Sequence, residues 1–198
     1  MKNTISRNKG YSIIELVIVV AIIAITSSMA MVSVTMLNTA RAKDAALKLD
    51  GEVAELIQKN KNMTPGTSDT AKYGLMLYYD YDDQFKISLV ECDHPSPTSS
   101  LYQYKDDGSG HPVFNDTVNI SKRVDIEYDG TYQSFCNGAS FDRNAFKPSS
   151  PNGTGAICIM FDKQGNCISG YGKYSFKKRN GNVVSTVTIR QNGSHVVR

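Results

Sequence analysis

The chain has 198 residues, enough for one globular domain and too few for two large ones. Hydrophobic residues make up 40% and charged residues 21%, which excludes disorder throughout. Lys and Arg number 22 against 19 Asp and Glu; the net charge of +3 is too mild to argue for nucleic acid by itself, and three histidines leave little for a metal site.

Residues 1–10 are short and polar, with Lys2, Arg7 and Lys9 and no acid. An apolar run follows, and from Tyr11 to Ala40 the only charged residue is Glu15. About 20 helical residues cross a bilayer core, so residues 11–37 are long enough to span one. The basic residues before the run predict residues 1–10 in the cytoplasm and the chain after Arg41 outside. A secretory signal peptide would carry a shorter apolar region with a small-residue cut behind it. Here the candidate cut, between Gly10 and Tyr11, lies ahead of the run, so the helix would stay on the mature chain. An ordinary signal anchor is the plainer reading, and its weak point is Glu15. An intramembrane carboxylate is expensive and points to function, although near the cytoplasmic edge it can also snorkel to the headgroups. Cutting after Gly10 would create a cationic partner, the amine of Tyr11, one helical turn away or on a neighbouring chain.

The string KGYSIIELVIVVAIIAI resembles the leader and helix of type IV pilins and type II secretion pseudopilins. Lys9, Gly10, the aromatic Tyr11 and Glu15 carry the likeness, with Tyr11 standing where the family usually has Phe. The resemblance implies cleavage after Gly10 by a membrane prepilin peptidase and N-methylation of Tyr11. It further implies that Glu15 pairs with the N-terminal amine of an adjacent subunit during assembly. The partners it implies are other pilin or pseudopilin subunits, the peptidase, the membrane and an inner-membrane assembly platform. Location would be the cytoplasmic membrane before assembly and a surface filament or pseudopilus after it.

Beyond Arg41 the pattern becomes amphipathic, with Ala42, Ala46, Leu49, Val53 and Leu56 at three- and four-residue steps. This stripe predicts packing on the globular part. Thr64, Pro65 and Gly66 predict a stop, giving a helix over 11–62 of roughly 75 Å. Major pilins commonly carry a glycine and a proline in the apolar half, whereas this chain has Ala24 and Val32 there. That favours a minor pilin or a pseudopilin; Gly51 is a weak point of the helix.

The rest, 63–198, predicts a β-rich extracytoplasmic domain, so the fold class is α+β with a long N-terminal helix packed on an antiparallel sheet. Strands are expected over 73–79, 85–90, 124–128, 156–161, 168–178, 183–190 and 194–197. The first two flank the acidic turn of Asp80, Asp82 and Asp83, read as a solvated hairpin turn in preference to a calcium site. Stretches 93–112 and 137–154 read as surface loops. Gln164-Gly165, Asn180-Gly181 and Asn192-Gly193 are turn signals, and together they predict a C-terminal antiparallel meander. This tail also resembles H-type pseudopilins and their pilus counterparts through Ile159, Phe161, Asp162 and Gly165, then Val187, Ile189, Gly193 and Val196.

Cys92, Cys136, Cys158 and Cys167 all fall on the external side, where an even count favours disulfides. Cys158 with Cys167, flanking one turn, and Cys92 with Cys136 is the preferred pairing of three; four buried thiols is the alternative. After Asp162 there are seven cations and no acid. Lys177, Lys178, Arg179, Arg190 and Arg198 could present a DNA-binding face, as some pilus-side H-type relatives are thought to do. A solvated sheet face or a contact with an acidic subunit is the preferred reading. Without Lys2, Arg7 and Lys9 basic and acidic residues balance. The sequence holds no GxSxG, HExxH or phosphate-loop pattern, so neither an enzyme nor a cofactor or metal is expected.

Overall fold

The computed structural model describes residues 11–62, 72–80, 84–93, 103–104, 113–131, 156–179 and 181–198. A single helix, α1 (Ile13–Lys61), runs unbroken through Ala24, Val32 and Gly51. No proline interrupts its hydrogen-bond ladder, and Lys59 and Lys61 lie in the last turn, where cations offset the partial negative charge of the helix end. The chain divides into two compact units, Met1–Leu37 and Asn38–Arg198, so the amphipathic half of α1 belongs with the strands.

Within the second unit the stripe read from the sequence is the buried one. Ala42, Ala45, Ala46, Leu49, Val53 and Leu56 are all buried in one core shared with both sheets. Small residues at 42, 45 and 46 let the strands approach the helix backbone. Each fully buried Leu or Val further along contributes about 1.5–3 kcal/mol of apolar burial.

The first sheet has strand order β3-β2-β1-β6-β7, with β4 also pairing with β2. Its strands are β1 (Tyr73–Asp80), β2 (Gln84–Asp93), β3 (Gln103–Tyr104), β4 (Phe114–Asn119), β6 (Ile157–Phe161) and β7 (Cys167–Ser169). The second has order β10-β9-β8-β5, from β5 (Val124–Thr131), β8 (Tyr171–Lys178), β9 (Val183–Ile189) and β10 (His195–Val197). All pairings are antiparallel. On β1 and β6, alternation sends Leu75, Leu77, Ile157, Ile159 and Phe161 to the helix side. Met76, Tyr78, Cys158 and Met160 go to a second buried cluster with Val90.

The predicted strand 168–178 is two strands in different sheets. β7 pairs with β6, and β8 pairs with β5 and β9. The break is Gly170, at φ +78°, where a Cβ would stand 2.8 Å from the Cα of Ile159 and 2.9 Å from the Cys158 carbonyl oxygen. Tyr174 secures it: the side chain is fully buried and its hydroxyl donates to the Gly170 carbonyl at 2.5 Å. Burial pushes the Tyr174 phenol well above its ordinary range, so it remains a donor. The meander β8-β9-β10 forms as expected, whereas β6 pairs with the sequence-distant β1.

The helix end is fixed by a residue the periodicity did not mark. Asn60 is fully buried. Its amide donates to the carbonyls of Tyr73 at 3.1 Å and Phe161 at 3.0 Å, and its Oδ1 accepts from the Tyr73 N–H at 3.1 Å. One side chain thus ties α1 to β1 and β6.

Candidate functional site

The site singled out by the sequence begins at the first turn of α1. Tyr11 and Ser12 precede the helix and are exposed. The Ser12 carbonyl accepts from the N–H of Glu15 at 3.0 Å and of Leu16 at 3.1 Å, so Ser12 stands at the N-cap and Glu15 three residues in. Ser-x-x-Glu is the spacing of a capping box, a pattern that charge reasoning alone passes over. A carboxylate in the first turn is also favoured by the partial positive charge of the helix start. Gly10, the residue before the expected cut, lies outside the described residues.

From Ile13 to Met36 every side chain is exposed, and α1 is long and apolar enough to cross a membrane by length and composition. Four of the five hydroxyls in this half bond back to the helix itself. Thr26 Oγ1 donates to the Ile22 carbonyl at 2.9 Å and Ser28 Oγ to Ile25 at 2.8 Å. Ser33 Oγ donates to Met29 at 3.1 Å and Thr35 Oγ1 to Met31 at 3.0 Å. Hydroxyls turned back on the ladder suit a medium without water, and they leave Glu15 as the one ionisable side chain there with no internal counterion in its own turn.

A family model of the prokaryotic N-terminal methylation motif matches residues 5–31. This is the prepilin-type cleavage and methylation signal of type IV pilins and pseudopilins. The match covers Gly10, Tyr11, Glu15 and the first half of the apolar run. No curated protein and no solved structure matches the chain. A prepilin-type signal on a single apolar helix is consistent with membrane anchoring.

The cysteines need one correction. Cys158 and Cys167 are buried thiols and do not form the expected bridge. The physical reason is strand alternation. Cys158 faces the cluster of Met76, Tyr78 and Met160, whereas Cys167 sits opposite Phe161 in the ladder and faces the main core. The Cys167 Sγ donates to the Ser169 carbonyl at 3.1 Å, and burial pushes its thiol up to about 12. Neighbouring strands carry the two thiols, but the pleat turns them to different clusters. Cys136 lies outside the described residues, as does the side chain of Cys92 on β2; Asp82, Asp83, His94 and His111 also lie outside them.

The basic tail is not a cationic face by itself, because the sheet sets the acids of β5 beside it. Asp125 is opposite Lys177 and Asp129 opposite Lys173 in the β5–β8 register, and Lys177 forms an ion pair with Glu127. The Arg179 guanidinium donates to the Lys122 carbonyl at 3.4 Å, and that of Arg190 to Ser194 Oγ at 3.3 Å. The Arg198 carbonyl closes the last pairing, accepting from Ser185 Oγ at 2.7 Å and from the Thr186 N–H at 2.8 Å. Lys178, Arg179, Arg190 and Arg198 are therefore spread over turns and edges of the second sheet. Among the described residues no group of three or more His, Cys, Asp or Glu could hold a metal.

Proposed function

We propose that this chain is a type IV pilin-like structural subunit, a minor pilin, cut between Gly10 and Tyr11 by a prepilin peptidase and assembled into a surface filament. The observation that carries the reading is the coincidence of the methylation signal over 5–31 with an exposed apolar helix half, residues 13–36, whose one charged group, Glu15, stands one turn from the new terminus. In this reading the cut chain stands in the cytoplasmic membrane as a single-pass subunit. The Tyr11 amine of a neighbour neutralises Glu15, and removal of an unpaired carboxylate from the apolar medium drives docking. Subunit and assembly-platform contacts then supply the register, and the β domain faces the environment.

A second reading within the class is a pseudopilin of a type II secretion system. It shares the signal, and the unbroken helix through Ala24 and Val32 supports it equally against a bulk filament subunit. A DNA-binding role for Lys177, Lys178, Arg179, Arg190 and Arg198 is weakened by the acids of β5. The test is mass spectrometry of the N-terminal peptide from cells with the native machinery. A chain starting at Tyr11 with one added methyl group is expected. A chain retaining residues 1–10, in cells that process other prepilins, overturns the reading.

A further inference from the structure

The C-terminal strand β10 is three residues long and pairs only with β9 among the described residues, through His195↔Ile189, Val196↔Thr188 and Val197↔Val187. Ile189 and Val187 face the core, so His195 opposite Ile189 is turned the same way, toward α1. There it meets Asp50. The His195 Nε2 lies 3.6 Å from Asp50 Oδ1, and both side chains are less than one-third exposed. Among the described residues Asp50 Oδ1 is the buried side-chain oxygen with no hydrogen-bond partner. The other ring nitrogen, Nδ1, lies 3.4 Å from the carbonyl oxygen of Gly193.

The chemistry of the ring decides what this arrangement does. Neutral imidazole carries one N–H and one lone pair, whereas imidazolium carries two N–H groups. Two acceptors, Asp50 Oδ1 and the Gly193 carbonyl, face the two nitrogens. The neutral ring serves one of them and presents a lone pair to the other; only the protonated ring serves both. We propose that His195 and Asp50 form a proton-operated latch that holds the C-terminal strand on the helix. It closes when the imidazole takes up a proton and opens when that proton leaves.

Other charges flank the pair in the surrounding turns. β9 (Val183–Ile189) contributes no titratable side chain. In the turn before β10, Arg190 is engaged with Ser194 Oγ. In the β6–β7 turn, against which Gly193 packs, Asp162 is held by the Asn166 N–H at 2.7 Å and its side-chain amide at 2.9 Å. Lys163 follows in that turn, and Arg198, at the far end of β10, carries the other cation of the strand. On α1, Asp50 is the acid in contact with the ring.

The test compares the full mature chain in detergent micelles with H195Q and D50N, by hydrogen exchange of the β10 amides corrected for intrinsic rates, at pH 5.5 and 8. In the native chain, protection of β10 is expected to be roughly fivefold greater at pH 5.5, the size of a partly exposed ion pair, and the difference should vanish in both variants. An equal difference in H195Q, or one that persists in D50N, overturns the proposal. If either variant fails to fold, the native chain decides: β10 protection that does not change between the two pH values overturns it as well.

Discussion

Asn60 shows how much one side chain can fix. Its three hydrogen bonds reach residues 13 and 101 positions away, and it has no exposed surface. Replacing it by Leu takes this partner from the Tyr73 N–H and from the carbonyls of Tyr73 and Phe161; a buried group left unpaired costs about 1–3 kcal/mol. Asn60→Leu is therefore expected to lower stability by roughly 3 kcal/mol, read as a shift of the denaturation midpoint with an unchanged slope. Glu52 presents the opposite case. Burial first, then the charges of Glu55 and Asp116, hold its carboxyl above the usual carboxylate range, and Lys59 offsets this only in part. The folded chain then binds a proton more readily than the unfolded one, so ionising Glu52 weakens folding as pH rises through its raised value. Glu52→Gln should be more stable than the native chain at pH 7 and converge with it below about pH 4, in denaturation curves recorded across that range.

At the scale of elements, α1 was legible because its two halves carry two clear patterns, an uncharged run and then a three-and-four stripe. Glu15 combines a capping spacing with a lone charge, and the two roles separate by substitution. Glu15→Gln keeps the acceptor oxygen of a capping box but removes the charge; Glu15→Ala removes both. If charge pairing drives assembly, both variants should abolish incorporation into filaments in cells, with helix content unchanged in Glu15→Gln. Strand β4 was not legible: half of Phe-Asn-Asp-Thr-Val-Asn is Asn and Asp, which strands avoid, and the strand is mostly exposed. It is held from outside itself, by its ladder with β2 and by Thr117, whose hydroxyl shares a 2.8 Å hydrogen bond with buried Ser88. The fusion of β7 and β8 into one expected strand has a different cause. Gly170 and Gly172 interrupt an otherwise strand-like run, and a change of sheet leaves no periodic trace. The turn glycines, by contrast, were correctly marked. A Cβ on Gly193 would lie 1.8 Å from the Gly165 carbonyl oxygen, at φ +79°. Gly193→Ala is expected to lower the melting temperature by several degrees, because the turn of β9–β10 must then part from that of β6–β7.

For the whole molecule, the sequence supplied the class of signal and the packing of the amphipathic stripe. It failed where the answer depends on which distant strands become neighbours. Charge is the clearest instance: an acid-free tail by position becomes a mixed face once Asp125 and Glu127 lie beside Lys177. The cysteines failed for the same reason, since the pleat of β6 sends Cys158 and Phe161 to opposite sides. The ordering of contacts has a bearing on the chain's synthesis. Asn60 waits for Phe161, Leu75 for Ile159, Asp125 for Lys177, and the sheet edge for the residues after Gly193. A ribosome that has released only the first 150 residues has made the helix and strands β1 to β5, but not the partners β6 and β8 that close the core. The core of the second unit can therefore close only when nearly the whole chain has been made.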